Sequence, residues 1–263
     1  MSKNIIFVFS GTGNSLWAAK KISEELKNCD IVSMGSHQNY TLTEDYDAIG
    51  FIYPTYFRGI PSKVKDFILH LDIRNNKNAY FFAVATCGSI VAAGNATAQL
   101  YSLLKRKEIT LNYAEKLDMF SNYVIMYNMG DTVEEETRQS AIDLELVIGN
   151  INKRITTLTA LKINPLDHII NRSFSRFVPH MDKHFNVSSA CIHCGICQKV
   201  CPVSNIDYDQ DRKPYFKHHC EQCLACIHHC PVKAINYKDK TQNRKRYTHP
   251  DISWQELAGL NGY

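Results

Sequence analysis

Eight of the ten cysteines form two copies of one closely spaced run, and thiolates in this arrangement bind iron–sulfur clusters. Each run reads Cys-x2-Cys-x2-Cys-x3-Cys followed by proline, and the second begins 29 residues after the first. In such a pair, three neighbouring cysteines hold one [4Fe–4S] cluster and the fourth ligates the other cluster. The predicted ligand sets are Cys191, Cys194, Cys197 and Cys230 for one cluster, and Cys220, Cys223, Cys226 and Cys201 for the other. The expected chemistry is transfer of single electrons at low potential.

Zinc is the alternative metal that thiolates two residues apart could bind. Structural zinc sites use paired ligands separated by a longer gap, without a third cysteine at the same short spacing. A disulfide framework is disfavoured because nothing marks the chain as secreted. The repeat also extends beyond the cysteines, since Ile206 and Tyr208 recur as Ile235 and Tyr237. This recurrence predicts one short strand in each half of a small domain.

A second candidate site is a loop of glycines and hydroxyl residues near the start of the chain. The run Asn4–Phe9 predicts a strand, and the helix that follows the loop has Leu16, Ala19 and Ile22 on its inner face. Backbone N–H groups of such a loop converge on an anion, and the helix N-terminus adds favourable partial charge. The loop lacks the lysine of a Walker sequence and the third glycine of a dinucleotide fingerprint. A neutral loop rich in hydroxyl groups favours the phosphate monoester of FMN.

Two later strands end in loops that are expected at the same edge of the sheet. The strand Ala48–Tyr53 runs into Pro54–Pro61, and the strand Tyr80–Ala85 runs into Thr86–Ser89, with Gly94 opening the next helix. Open α/β sheets bind ligands at the carboxyl ends of their strands. Three such loops together therefore predict a ligand site.

The run Ser-Gly-Thr-Gly-Asn-Ser after the first strand resembles the FMN-phosphate loop of flavodoxins. With the cysteine runs, the chain resembles fused flavodoxin–ferredoxin proteins common in anaerobes; further marks are Asp182-Lys183-x-Phe185 and Cys223-Leu224-Ala225-Cys226-Ile227. The resemblance implies an α/β fold, a flavodoxin-like doubly wound parallel sheet of strand order 2-1-3-4-5, followed by a small α+β two-cluster ferredoxin domain. It also implies FMN and two [4Fe–4S] clusters as cofactors.

The resemblance carries over to particular residues of this chain. The phosphate would be held by Ser10, Gly11, Thr12, Gly13, Asn14 and Ser15. One side of the flavin ring would be lined by Pro54, Thr55, Tyr56, Phe57, Arg58 and Gly59, and the other by Thr86, Cys87, Gly88, Ser89 and Gly94. Two of these residues are catalytic candidates. Gly59 could turn its carbonyl toward the flavin N5 on reduction. Arg58 is either a solvated cation or a group that stabilises anionic reduced flavin or receives an anionic substrate.

The third loop departs from the pattern of many flavodoxins because Thr86–Ile90 contains no aromatic residue to stack on the ring. We therefore expect a flavin face that is open to the ferredoxin domain or to a small substrate. Cys87 has two interpretations, a redox-active thiol near the flavin or a small residue that fits a tight loop.

The predicted organisation has four parts. Residues 1–163 form the FMN-binding domain, residues 164–187 a packed connector, residues 188–240 the two-cluster domain, and residues 241–263 a tail packed on the body. A further strand and loop are expected within Leu117–Tyr127, and a long helix over Thr132–Leu161. Trp254 and Leu257 are the expected anchors of the tail.

Composition and charge exclude several classes of function. No apolar stretch approaches the roughly 18 residues of a membrane span, and Met1–Asn4 leads into a strand without a signal-peptide core. The cytoplasm is the expected location because cluster thiolates need a reducing compartment. The formal charge is +4, but two clusters and a flavin phosphate bring the holoprotein to roughly −2. Nucleic-acid binding therefore has no support from charge.

The leading functional hypothesis is an oxidoreductase that relays electrons between the clusters and FMN. Reduced ferredoxin is the expected electron source, because the only G-x-G in the chain is Gly11–Gly13 and no second nucleotide fingerprint marks an NAD(P)H domain. The electrons would pass to a small acceptor at the flavin. One alternative is a pure carrier between protein partners with no substrate of its own. Another is a redox sensor or maturation factor whose clusters serve structure or signalling.

Overall fold

A five-stranded parallel sheet forms the centre of the first part of the chain. The computed structural model describes residues 3–37, 39–157 and 161–263. The strands are β1 (Asn4–Val8), β2 (Cys29–Ser33), β3 (Ala48–Pro54), β4 (Tyr80–Cys87) and β5 (Leu111–Asp118). Their order in the sheet is β2-β1-β3-β4-β5, and every neighbouring pair is parallel. The predicted flavodoxin order 2-1-3-4-5 is confirmed.

Four helices cover the two faces of this sheet. They are α1 (Asn14–Leu26), α2 (Ser62–His70), α3 (Ala96–Arg106) and α4 (Val133–Asn152). Apolar residues of α2 and α3 share one core with one face of the sheet, and those of α1 and α4 share a second core with the other face. Central strands buried on both faces are continuous apolar runs, which is why β1, β3 and β4 are readable from the sequence. A two-residue parallel pair, Tyr40–Thr41 with Leu71–Asp72, lies outside the sheet.

Two predicted element boundaries differ from the structure. The expected strand within Leu117–Tyr127 is wrong in its bounds, because β5 begins at Leu111 and only its last two residues fall in that range. This edge strand alternates buried and partly exposed residues and includes Glu115 and Lys116, so it lacks the apolar run of the central strands. Helix α4 ends at Asn152 rather than near Leu161. Part of the expected helix, residues 158–160, lies outside the described residues.

The connector is helical, and the small domain that follows is built from short elements. Helix α5 (Pro165–Phe177) starts with the side chain of Asn164 accepting hydrogen bonds from the next turn, and a 3-10 helix spans Val178–His184. The elements of the small domain are β6 (Phe185–Val187), α6 (Ile196–Lys199), β7 (Ile206–Tyr208), β8 (Pro214–Phe216), α7 (Ala225–His228) and β9 (Ile235–Tyr237). Strand β6 pairs with β9, and β7 pairs with β8, both antiparallel. The two strands expected from the repeat are confirmed.

The C-terminal segment returns to the first domain. Helix α8 (Trp254–Leu260) begins with a capping box formed by Ser253 and Glu256. Leu257 is buried in the core that contains α1 and α4, and the indole N–H of Trp17 donates to Asp251 at 3.1 Å. The tail therefore covers α1 directly. Within the described ranges, no helix is long and apolar enough to cross a membrane.

Candidate functional site

A cavity of about 990 Å³ lies at the carboxyl ends of the strands. All residues predicted to contact the flavin line it, except Gly13, Gly59 and Gly94. The structure thus brings the three predicted loops together, as expected for the ligand edge of an open parallel sheet. This volume lies at the upper end of the range of about 300–1,000 Å³ usual for small-molecule sites.

The phosphate loop is ordered by short-range hydrogen bonds. The hydroxyl of Ser10 accepts from the N–H of Leu16 at 3.3 Å, and the hydroxyls of Ser15 and Thr86 are 2.8 Å apart. Asn14 accepts from the Tyr247 hydroxyl at 2.7 Å. The loop carries no charged side chain, so backbone amides, hydroxyl groups and the N-terminus of α1 are the groups that would hold the FMN phosphate.

Gly13 shapes this loop from outside the cavity. Its φ of +104° is in the region that favours glycine. A Cβ atom there would lie 2.9 Å from Cβ of His249 and 3.1 Å from Cβ of Ile252. The C-terminal tail therefore packs against the back of the phosphate loop, where the N–H of His249 also donates to the carbonyl of Thr12 at 2.8 Å.

The second loop is a tight two-residue turn. Tyr56 and Gly59 exchange backbone hydrogen bonds of 2.9 and 3.0 Å, and both central residues, Phe57 and Arg58, have positive φ. Gly59 faces away from the cavity, where a Cβ atom would overlap the side chains of Gln99 and Asn171. Its carbonyl already accepts from Tyr56, so the flip expected of Gly59 requires breaking that bond. Gly94, whose φ is +53°, packs behind the turn, where a Cβ atom would lie 2.5 Å from the carbonyl oxygen of Arg58.

Arg58 is half-exposed and forms an ion pair. Its Nε donates to the carboxylate of Asp167 on α5, and Asp167 is buried. This ion pair raises the pKa of Arg58 above its usual value. The guanidinium lines the cavity in a fixed orientation, and its remaining N–H groups are suited to an anionic ligand.

Cys87 lies in the cavity wall as a neutral thiol. Its Sγ donates to the carbonyl of Leu117 at 3.5 Å, and burial raises its pKa to about 12. A thiolate is the nucleophilic form of cysteine, so this environment favours the structural interpretation over a redox-active thiol.

Sequence reasoning missed about half of the cavity wall. One group follows β5, a second comes from the connector, a third belongs to the small domain and the tail, and Ala92 lies between β4 and α3. These residues are Ala92, Phe120, Ser121, Asn122, Tyr123, Ile125, Met126, Tyr127, Ile170, Phe174, Met181, Gln222, Cys223, Leu224, Tyr237, Lys240 and Arg244. The group after β5 could have been predicted from the sequence, because its loop follows the carboxyl end of a sheet strand. These segments supply aromatic residues, which the third loop lacks. The ring of Phe174, for example, stacks on Phe57 with centroids 4.7 Å apart.

The cysteines of the small domain lie in two groups. A narrow cavity is lined by Cys191, Cys194, Cys197 and Cys230 together. Cys226 interacts electrostatically with Cys220, Cys223 and Cys201, and most weakly with Cys197. Among the described residues no three His, Cys, Asp or Glu side chains are close enough to hold a metal ion, whereas a four-iron cluster separates its thiolates more widely. Four thiolates in a group are the donor set of a [4Fe–4S] cluster.

Backbone amides point at the cysteine sulfurs. The N–H groups of Asn205, Gln222 and Ala234 donate to Sγ of Cys201, Cys220 and Cys230, respectively, at 3.1–3.3 Å. Hydrogen bonds to sulfur are one of the means by which proteins set cluster potential. His228, between Cys226 and Cys230, contacts other segments instead: its Nε2 donates to the carbonyl of Asn122 at 2.9 Å, and its Nδ1 accepts from the N–H of Tyr247. This ring connects the second cysteine run to the loop after β5 and to the tail.

The second cysteine run is in direct contact with the phosphate loop. A Cβ atom on Gly11 would lie 2.9 Å from Cβ of Cys223 and 3.0 Å from its carbonyl oxygen. The carboxylate of Glu221 accepts from the N–H groups of Ser62 and Lys63 at 3.1 and 2.8 Å, at the start of α2. The cluster ligands and the cavity are therefore parts of one packed unit.

Comparisons with known proteins agree with this architecture. A family model described as a flavodoxin domain matches residues 5–157, more than half of the chain. A second model, described as a 4Fe-4S dicluster domain, matches residues 183–246. The chain belongs to the flavodoxin family and carries the iron–sulfur domain in the same polypeptide, which confirms the predicted fused flavodoxin–ferredoxin class. This is the composition of an iron–sulfur flavoprotein that transfers electrons.

Two curated relatives each match about a third of the chain. A component of the ion-translocating oxidoreductase complex of Buchnera aphidicola is 36% identical over 98 residues, covering 31% of this chain and 20% of that protein. The pyruvate synthase subunit PorD of Methanocaldococcus jannaschii is 29% identical over 84 residues, covering 31% of this chain and 92% of that protein. The chain thus spans only about a fifth of the length of the first relative. Among solved structures, an azoreductase from Bacillus anthracis superposes with a TM-score of 0.41 at 12% identity, covering 57% of this chain and 100% of that one.

Proposed function

We propose that the chain relays low-potential electrons between two [4Fe–4S] clusters and one FMN, and delivers them to a small acceptor in the cavity. When bound, these cofactors supply one-electron transfer at the clusters and two-electron chemistry at the flavin. The observation that carries the proposal is the contact of Gly11 with Cys223. Cys223, a predicted ligand of the second cluster, also lines the cavity of the predicted flavin site.

The exposure of the cysteines supports one order of the two clusters between solvent and the cavity. In the first predicted ligand set, Cys194 is exposed, Cys191 and Cys230 are half-buried and Cys197 is buried. In the second set, Cys223 is half-buried and the other three, Cys201, Cys220 and Cys226, are buried. The first cluster would therefore face solvent, and the second would lie between it and the cavity. A protein donor such as ferredoxin would meet the exposed cluster. Both curated relatives are named as enzyme subunits, one of them in an oxidoreductase complex, which supports a protein redox partner.

The charged side chains that line the cavity support the binding of an acceptor in addition to the flavin. Three cationic side chains line it, Arg58, Lys240 and Arg244, and among the described residues no acidic side chain does. The phosphate loop needs no cation of its own, so these groups remain for other anionic or polar atoms. The alternative, a pure carrier between protein partners, requires a covered flavin and no space beside it.

The experiment that tests the proposal is the iron, sulfide and flavin content of anaerobically purified protein, together with its absorption spectrum during stepwise reduction. We expect about eight iron atoms and one FMN per chain, with both chromophores reduced in turn. Full iron without flavin would refute the relay and leave a ferredoxin with a docking module. Oxidation of the reduced holoprotein by partner proteins alone, with no small oxidant effective, would favour the carrier.

A further inference from the structure

Helix α5 of the connector buries two polar residues and exposes several apolar ones. Asp167 and Asn171 are buried. Leu166, Ile169 and Phe177, which share one face at helical spacing, are 65%, 61% and 68% exposed. A helix of a soluble domain normally does the reverse. The outward face of α5 therefore lacks a partner in the described structure.

The charges beside this apolar face are all positive. Within residues 161–184 both acidic side chains, Asp167 and Asp182, are buried. The cations Lys162, Arg172, Arg176 and Lys183 are all exposed. Arg172 and Arg176 lie one turn apart, next to the apolar stripe. An apolar stripe flanked by arginines is the pattern of a helix that lies in a membrane interface.

Two loops extend the apolar surface around the mouth of the cavity. Val91 is 82% exposed and Met126 is 73% exposed. The segments that carry them, residues 88–95 and 119–130, contain no charged residue. These segments adjoin α5 at the cavity, since Ala92, Met126 and Phe174 all line it. The rim thus has apolar projections from three segments, exposed cations, and no exposed carboxylate within these segments.

We propose that this rim binds an anionic membrane surface. Leu166, Ile169 and Phe177 enter the boundary between head groups and acyl chains, while Arg172 and Arg176 meet lipid phosphates. Lipids adapt to separate projections from three segments, whereas a protein partner would have to match their shape. A second copy of the chain would bring these arginines against like charges in a symmetric contact.

The consequence for chemistry rests on the proposed function. A cavity whose mouth faces a bilayer admits an apolar acceptor dissolved in the membrane. The wall near the mouth, with Met126, Ile170 and Phe174, suits such a molecule. Vesicle binding itself needs neither electron transfer nor an acceptor, so it is measured independently of the relay.

The test is co-sedimentation of the holoprotein with phosphatidylcholine vesicles that contain or lack phosphatidylglycerol. We expect binding at least about tenfold tighter to the anionic vesicles, weakened by salt. The double variant Ile169→Ser/Phe177→Ser should bind at least about tenfold more weakly. The double variant Arg172→Gln/Arg176→Gln should lose most of the preference for phosphatidylglycerol.

The matched control is Leu146→Ser, because Leu146 on α4 is 69% exposed but lies away from the rim. It should bind vesicles as the wild type does, and the iron and flavin contents of all variants check their folding. Absence of vesicle binding, or equal loss in Leu146→Ser, would overturn the proposal. A concentration-dependent dimer that Phe177→Ser abolishes would also overturn it and assign the face to a second copy.

Discussion

At the scale of single residues, the glycine at position 11 meets two requirements. It lines the predicted phosphate site, and it lets the backbone of the second cysteine run approach to contact distance. The sequence predicts the first requirement from the loop pattern. The second depends on a neighbour that lies 212 positions later in the chain, Cys223, and no local pattern reports it.

We expect Gly11→Ala to weaken FMN binding by about tenfold or more, equivalent to about 1.4 kcal/mol. The added methyl group would force the phosphate loop and the Cys223 loop apart. Fluorescence quenching of FMN during titration of flavin-depleted protein measures the dissociation constant. The control is Gly149→Ala in α4, where a Cβ atom would meet nothing within 4 Å. That change should stabilise the protein by about 0.5–1 kcal/mol and leave FMN binding unchanged; an equally unchanged Gly11→Ala would contradict the packing argument.

At the scale of elements, the crossed ligation proposed for the cysteine runs would make each cluster depend on both halves of the small domain. Cys201 belongs to the first run, but it interacts electrostatically with Cys220 and Cys223 of the second run. Cys201→Ala should therefore compromise the cluster held by Cys220, Cys223 and Cys226. Electron paramagnetic resonance and iron content of the reduced variant report which cluster is lost. Damage confined to the cluster of Cys191, Cys194 and Cys197 would refute the crossed arrangement.

The tail that holds the phosphate loop should respond to pH through His249. This imidazole stacks on Trp17 at 4.8 Å, accepts from the N–H of Asp251 at 3.2 Å, and burial lowers its pKa from 6.5 to about 4. The unfolded chain therefore binds more protons than the folded one between these values, so stability is present above pH 6.5 and is lost as pH falls toward 4.

The loss attributable to His249 should reach about 1 kcal/mol at pH 5.5. His249→Asn keeps an acceptor for Asp251 but does not titrate, so it should lose less stability than the wild type between pH 7.5 and 5.5. Denaturant unfolding of the holoprotein at both pH values measures the difference. Parallel pH profiles for the two proteins would exclude His249 as the titrating group.

At the scale of the whole molecule, the two domains hold each other in place through the connector, the second cysteine run and the tail. The Cys223 loop forms part of the cavity wall, and Glu221 caps α2 from the other domain. Removing the clusters with a chelator and an oxidant should therefore raise the FMN dissociation constant by about tenfold or more. Titration of FMN into cluster-free and holoprotein measures this change. Equal affinities would show that the flavin site forms without the cluster loops.

The parts of this architecture that were predictable are those that local patterns encode. The apolar runs of β1, β3 and β4 predict the sheet, which the structure confirms, and the spacing of the cysteines predicts the cluster ligands, which remain a proposal. The bounds of β5 were missed because an edge strand alternates exposed and buried residues. The cavity walls from Phe174 and Arg244 depend on how the connector and tail pack onto the sheet, and such long-range packing leaves no periodic signal.

The position of α8 against α1 also has a consequence for biogenesis. Ile252 follows Ile22 by 230 positions (252 − 22), yet both belong to one core with Leu16 and Leu257. During synthesis, that apolar surface stays uncovered until the segment of α8 has emerged, and the back of the phosphate loop lacks His249 until then. The predicted flavin site therefore completes its packing only after the small domain has been synthesised, which makes it a late product of vectorial synthesis.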